Sequence, residues 1–261
     1  MDKRSVLDAA AASAEERMLL GRVWDKYDFC RLKNLPSATA FLSPQEQSAA
    51  RRLLQTLGAE EGFCFSGGYE GAERCRLFFL PDWAWEPEEG SIRCLRCTWY
   101  QKGSLTHRDL LGSLMGMGLT RESVGDILVG EDSADVLVTD TVAEHLLQSW
   151  DAAGRTPLRV TEVPTDHIHI PQVKTKLIRD TVSSLRLDSV VSSGFALSRG
   201  KAAEAIAAGK VQLNWTVCTK AAAEVAQGDT VSLRGLGKCC VEEVGNQTKK
   251  GRIFVSIRRY L

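Results

Sequence analysis

The chain has no run of 18 apolar residues, and its opening stretch, MDKRSVLDAAAASAEERMLL, carries acids where a secretory signal would be apolar. Neither a membrane span nor secretion is indicated, and the expectation is a cytoplasmic protein. Net charge is also missing, since 33 Lys and Arg balance 33 Asp and Glu. The eight cysteines follow no regular spacing, which fits a reducing compartment better than a disulfide framework. Cys94-Leu95-Arg96-Cys97 is a single C-x-x-C inside a predicted strand, where alternation sends its two thiols to opposite faces. Cys239 and Cys240 are merely adjacent, and neither pair supplies the four converging ligands of a structural zinc site. No metal and no cofactor are expected.

Catalytic signatures are absent as well. There is no G-x-S-x-G, no histidine paired with acids by spacing and no cofactor fingerprint. Gly67, Gly68 and Gly71 match neither G-x-G-x-x-G nor the phosphate-loop pattern, and no Lys-Ser/Thr follows, so a hairpin loop between strands at 63–65 and 74–80 is expected. His107-Arg108-Asp109-Leu110 copies the start of a kinase catalytic loop. Leu114 stands where the metal-binding Asn belongs, however, and no Gly-rich loop or DFG accompanies it. Thr106 as N-cap with Asp109 at the third helical position explains the stretch as a helix start. His167-Ile168-His169-Ile170 resembles the HIGH box of class I aminoacyl-tRNA synthetases, but His169 replaces the glycine that lets ATP approach, and no KMSKS-like loop appears.

What the chain does have is enough apolar content, 44% over 261 residues, for two or three cored domains. Its charge is unevenly spread. Residues 172–261 hold 15 Lys and Arg against 7 Asp and Glu, leaving 18 against 26 for residues 1–171. The basic part contains the most informative stretch, LRLDSVVSSGFALSRGKAAEAIAAGKVQLNWTVCTK at 185–220. Leu185, Leu187, Val190 and Val191 mark a first helix with Gly194 as its C-terminal cap. Ser198 caps a second, alanine-rich helix that Gly209 stops. Asn214-Trp215 bend a hairpin after Val211 and Leu213, and Val217 opens the returning strand. Arg199 and Lys201 sit in the first turn of the second helix, where the macrodipole is already positive. That cost makes sense with a phosphate nearby, and exposed amides and two cations together would make a local anion site.

Upstream, Leu20, Trp24 and Tyr27 lie at i, i+4 and i+7 of a helix over 14–32 and should pack into a core. Ser43-Pro44-Gln45-Glu46 is a capping box opening a helix that runs to Leu57 and is closed by Gly58. From residue 92 the elements read strand (92–100), helix (107–117), strands (127–129 and 134–138), helix (142–152) and strand (158–163). That βαββαβ order is the ferredoxin-like plan of RNA-recognition motifs. Such motifs stack bases on sheet aromatics, yet the third strand, ADVLVTD, has none. Trp99 and Tyr100 are the remaining candidates, with packing the simpler role for each. Pro164 and Pro171 bracket a linker.

The run RLD, SRGKA, IAAGKVQLN and VAQGDTVSLRG resembles the S4 RNA-binding domain. Together with FLSPQEQ at 41–47, GGYEGAER at 67–74, HRDLLGSLMGMGLTRESVGDILV at 107–129 and VSSLRLDSVVSSGFALSRGKA at 182–202, it makes most of the chain similar to the YlmH family of bacterial S4-domain proteins. The resemblance implies an α+β, multidomain fold. A helical/αβ N-terminal region would occupy 1–82, a central ferredoxin/RRM-like domain 83–165, a linker 166–180 and a C-terminal S4 (α-L) RNA-binding domain 181–261. It also implies a non-catalytic, ribosome-associated factor whose partners are RNA (rRNA and/or tRNA) and the large subunit carrying peptidyl-tRNA, in quality control or rescue of stalled translation, with no membrane and no DNA partner. The S4 pattern falls on Arg186, Asp188, Ser198, Arg199, Lys201, Lys210, Asn214, Lys220 and Arg234. The cations among these are candidate phosphate contacts. Asp188 reads as structural, pairing with Arg186 or capping a turn, and Asn214 fits either an RNA contact or turn chemistry. Leu185, Val190, Ile206, Val211, Leu213 and Val231 should form the module's core. The alternative is an RNA-modifying enzyme of the pseudouridine synthase or methyltransferase type, delivered by its S4 domain. It requires a catalytic Asp motif or a methyl-donor glycine loop in residues 1–165, and neither is visible.

Overall fold

The computed structural model describes residues 2–171, 174–248 and 251–260. The chain divides after Pro171 into two compact units with separate cores.

The first unit opens with α1 (Lys3–Ala10) and α2 (Ala14–Lys33). Ser13 caps α2 by accepting from Glu16 N, and Asn34 ends it in the left-handed conformation at φ 53°. Leu20 and Trp24 are buried and Tyr27 half-buried, as their spacing predicts. Next come β1 (Ser37–Leu42), α3 (Pro44–Thr56), β2 (Phe63–Ser66) and β3 (Cys75–Phe79), which make an antiparallel sheet in the order β1-β3-β2. The capping box at Ser43 is present. Ser43 N donates to Glu46 Oε2 at 2.6 Å, and Glu46 N donates to Ser43 Oγ at 3.4 Å. Two elements are weakly signalled in the sequence. α1 is only eight residues long, though Asp2 caps it by accepting from Ser5 N and Val6, Leu7 and Ala10 fall on its core side, and SATAFL in β1 lacks the β-branched run that marks a strand.

The βαββαβ plan then follows. β4 (Ile92–Thr98), α4 (His107–Gly116), β5 (Val124–Val129), β6 (Ser133–Thr139) and α5 (Asp140–Ser149) lead through a small hairpin, β7 (Ala152–Ala153) and β8 (Thr156–Pro157), to β9 (Arg159–Val163). The sheet is antiparallel in the order β5-β6-β4-β9, the ferredoxin-like arrangement. Its helix-side face, with Leu95, Cys97, Val136 and Val138, packs against Leu110, Leu114, Leu146 and Trp150.

The opposite face is covered. Cys94 and Leu137 lie under Phe41 of β1, joined by Tyr69 and Ile168. Gly125 makes this contact close, since a Cβ there would come within 2.7 Å of Phe41 Cε1 and 2.9 Å of Leu137 Cβ. Polar bonds fix the same contact. Asp126 accepts from Tyr69 Oη at 2.8 Å, Glu73 N at 2.7 Å and Arg74 N at 3.1 Å, and Arg74 donates to the carbonyls of Phe41, Arg121 and Val124. The GGYEGAER loop is thus a β2–β3 hairpin connection that clasps the neighbouring sheet.

The second unit holds β10 (Thr175–Val182), α6 (Leu187–Phe195), α7 (Arg199–Ala207), β11 (Val211–Leu213), β12 (Thr216–Val217), β13 (Thr230–Leu233), β14 (Gly237–Gln247) and β15 (Ile253–Tyr260). Its sheet order is β10-β15-β14-β13-β11-β12. Val190, Ile206, Val211 and Val231 are fully buried in the core, with Leu185 and Leu213 at its edge.

Two expectations are corrected. Gly194 lies inside α6, buried against β14, where a Cβ would meet Cys239 Sγ at 2.9 Å. The left-handed cap is Ala196 at φ 54°. The stretch 166–180 is structured at both ends: Ile168 packs on the first unit's sheet, and β10 pairs with β15 along its whole length. The charged residues of TKLIRDTV hide the strand from a hydrophobicity reading.

Gly125→Ala should destabilise the first unit by ~1–3 kcal/mol through overpacking. Urea unfolding followed separately in the two units is expected to shift the first transition and leave the second in place.

Candidate nucleic-acid interface

Asp188 organises the basic end of the second unit. It lies in the first turn of α6, where a carboxylate complements the helix dipole, and its side chain is 9% exposed. Arg186 grips it with both arms of its fork, Nε donating to Oδ1 and Nη2 to Oδ2, each at 3.2 Å. From α7, Arg199 Nη2 donates to both carboxylate oxygens at 3.3 Å, and its Nη1 donates to Ser183 Oγ at 3.4 Å. Burial alone would raise the Asp188 pKa, but the hydrogen bonds from Arg186 and Arg199 and their charges outweigh it and hold the carboxyl below the usual range. Each guanidinium has five N–H donors. The arginine side chains remain 43% and 51% exposed, so donors are left over for an external anion. The sequence-based pairing of Asp188 with Arg186 holds, and Arg199 joins it from the next helix.

The α6 N-terminus is closed by backbone. Leu187 N and Asp188 N donate to the carbonyls of Ala223 and Ala221 at 2.8 and 3.1 Å, taking up amides that a helix start leaves open. This loop begins at Lys220, which is exposed. Ser198 accepts from Lys201 N at 3.3 Å and starts α7 with Arg199 and Lys201 in its first turn, both exposed.

Lys210 and Arg234 are elsewhere, beyond the other end of α7. Arg234 N donates to Lys210 O at 3.0 Å, and both residues border an open cavity of about 440 Å³. Asn214 is committed to the hairpin turn. Its Nδ2 donates to Asp229 Oδ1 at 2.8 Å, its Oδ1 accepts from Thr230 N at 3.0 Å, and Asn214 and Trp215 take φ of 49° and 62°. Of the sequence-derived residues, Arg186, Ser198, Arg199, Lys201 and Lys220 therefore cluster around α6 and the α7 start, Lys210 and Arg234 form a second group, and Asn214 serves the fold.

In the first unit the sheet face on which an RNA-recognition motif stacks bases is occupied. Besides Phe41 and Tyr69, the segment after β9 lies over it. Arg96 binds the buried Asp135 through two 2.7 Å bonds and donates to His167 O at 2.8 Å, while His169 N donates to Asp135 Oδ2 at 2.6 Å. Trp99 is buried in the helix-side core, as packing requires, and Tyr100 is fully exposed. Cys94 and Cys97 do point to opposite faces, and burial pushes both thiols up to about 12. Among the described residues no cluster of His, Cys, Asp and Glu is grouped to hold a metal, and no helix is long and apolar enough to cross a membrane.

These two architectures define an S4-domain protein that also carries a ferredoxin-like domain. Residues 185–231 match the model of the S4 domain, and residues 92–167 match the "Putative RNA-binding domain in YlmH". The chain is 35% identical over 224 residues to "Ribosome-associated protein quality control protein P2" of Bacillus subtilis (strain 168), an alignment covering 85% of this chain and 86% of that protein. It belongs to the YlmH family. A solved structure, "Cell division protein ylmH from Streptococcus pneumoniae", is 25% identical and covers 61% of this chain and 98% of its own, with a TM-score of 0.48.

Because Asp188 has a lowered pKa, its contribution to stability is present above the unfolded carboxylate value of ~3.9 and is lost as the pH falls through the lower folded value. Asp188→Asn should cost the second unit ~1–2 kcal/mol at neutral pH. It should also flatten the acid side of that unit's stability profile, measured by urea denaturation between about pH 7 and 3.

Proposed function

We propose that the chain is a non-catalytic, cytoplasmic RNA-binding factor that attaches to the ribosome through rRNA and/or tRNA. The observation that carries this reading is the Asp188 clamp, which holds Arg186 at the start of α6 and Arg199 at the start of α7 on one carboxylate, with Lys201 in the same first turn of α7. Rigid, partly exposed guanidiniums next to exposed lysines suit phosphate oxygens arranged by RNA shape. The match to the S4 model gives the module its chemical class, and the name of the ribosome-associated quality control relative supports attachment to the ribosome; the large subunit with peptidyl-tRNA is the site of action proposed within that reading. In this reading Arg186, Ser198, Arg199, Lys201, Lys210, Lys220 and Arg234 face RNA, residues 181–261 are the grip, and the 1–82 and 83–165 domains act as a scaffold whose covered sheet does not stack bases.

Arg199→Glu would set a second carboxylate against Asp188 and break the clamp, so Arg199→Gln is the cleaner change. Arg199→Gln with Lys201→Gln should weaken binding to ribosomes ~10-fold or more and lower the slope of log affinity against log salt by about 2. Co-sedimentation with 50S and 70S particles across a salt series reads both quantities. Unchanged co-sedimentation by a folded double variant contradicts the proposal.

A further inference from the structure

The first unit carries the chain's excess of acids, and one part of its surface joins that charge to exposed apolar side chains. On α2, Leu20, Val23, Trp24 and Cys30 face the core. Phe29 and Leu32 lie on the far side of the helix, with Leu32 73% exposed, and Leu35 is exposed just past its end. The segment PDWAWEPEEG at 81–90 is tied to that end of α2. Asp82 N donates to Asn34 Oδ1 at 3.0 Å, Trp83 Nε1 donates to the carbonyl of Asn34 at 3.1 Å, and Ala84 N closes a turn on the carbonyl of Pro81 at 2.9 Å. Asn34 thus ends the helix in the left-handed conformation and anchors the turn that bears the tryptophans. Trp83 is 61% exposed and Trp85 92%. Single exposed apolar residues are ordinary, but a group of them beside one fixed turn marks an interaction surface. The charge around them is of one sign along the segment. Residues 81–90 contain Asp82, Glu86, Glu88 and Glu89 and no Lys or Arg, and all four acids are exposed. Arg31 and Lys33 stand in the last turn of α2, where they complement the negative end of the helix dipole.

We propose that Phe29, Leu32, Leu35, Trp83 and Trp85 form a docking surface for a protein segment in which Lys or Arg residues interleave with apolar ones. Charge complementarity selects this occupant. An indole face attracts an ammonium or guanidinium as well as packing against apolar side chains, and the carboxylates of 82–89 draw the same cations from further away. Those carboxylates repel RNA phosphates and anionic lipid headgroups. They also oppose a second copy of this surface, which would bring its own acids to the contact. Exposed tryptophans supply the anchoring area, since they lose little side-chain freedom on binding and dominate interface energetics. The inference goes beyond the RNA-binding reading and does not rest on it: the basic second unit takes phosphate, and the acidic first unit takes a cationic protein.

The test uses the full chain and a short fluorescein-labelled peptide with Leu and Lys at helical spacing, titrated by anisotropy beside two companions, one with Ser in place of Leu and one with Glu in place of Lys. The Leu-Lys peptide should bind ~10-fold or more tightly than either companion. Leu32→Ser with Trp85→Ser alters side chains that lie outside the cores and should weaken its binding ~10-fold. Glu86→Gln with Glu88→Gln and Glu89→Gln should weaken it ~3-fold at low salt and flatten its salt dependence. Full-strength binding of the Leu-Lys peptide by both variants overturns the proposal. So does equal binding of the Leu-Lys and Ser-Lys peptides, which would mean attraction by charge alone. Dimerisation of the full chain that Trp85→Ser abolishes would assign the surface to a second copy, and loss of tRNA binding in the Leu32→Ser, Trp85→Ser variant would assign it to RNA; either result also overturns the proposal. Retained tRNA binding without any peptide binding overturns it as well and leaves the proposed function standing.

Discussion

A buried carboxylate between two arginines is the constraint on which the basic face depends. Asp188 sits in the first turn of α6, and one of its partners comes from α7, so the ion pairs join the two helices while aiming their cations outward. Without the acid, two guanidiniums would repel each other at the start of both helices, next to the positive end of each dipole. With it, they become a fixed pair of forks. The position of an acid among the cations of this basic face is explained by this preorganising role.

The first unit obeys a different constraint. Its four-stranded sheet has apolar and polar contacts on both faces, helices on one and the β1 region, the GGYEGAER loop and the segment after β9 on the other. Asp126 and Arg74 tie the loop to β5 and its preceding turn through backbone groups that would otherwise be left unsatisfied in the contact. The ferredoxin-like topology therefore comes without the open aromatic platform that gives RNA-recognition motifs their base stacking.

Local signals in the sequence carried well into the structure. Ser43, Thr106 and Ser198 are caps because a hydroxyl three residues ahead of an amide has a short-range geometry to satisfy, and the Asn214-Trp215 bend follows from turn chemistry. Long-range features did not show. A glycine suits a helix cap and a close packing contact equally, so Gly194 could be placed only once Cys239 was known to lie against it. Phe41 covering Leu137 joins residues far apart in sequence. The candidate RNA residues were legible as types, but their division into two groups at the two ends of α7 was not.

The measurement that bears most directly on this account is ultraviolet crosslinking of the full chain to RNA in cells, with mass spectrometry locating the crosslinked residues and sequencing locating the RNA positions. The account predicts crosslinks within 183–238, around the Asp188 clamp and the β13–β14 turn, on ribosomal RNA or tRNA. Crosslinks confined to residues 2–171 would contradict it.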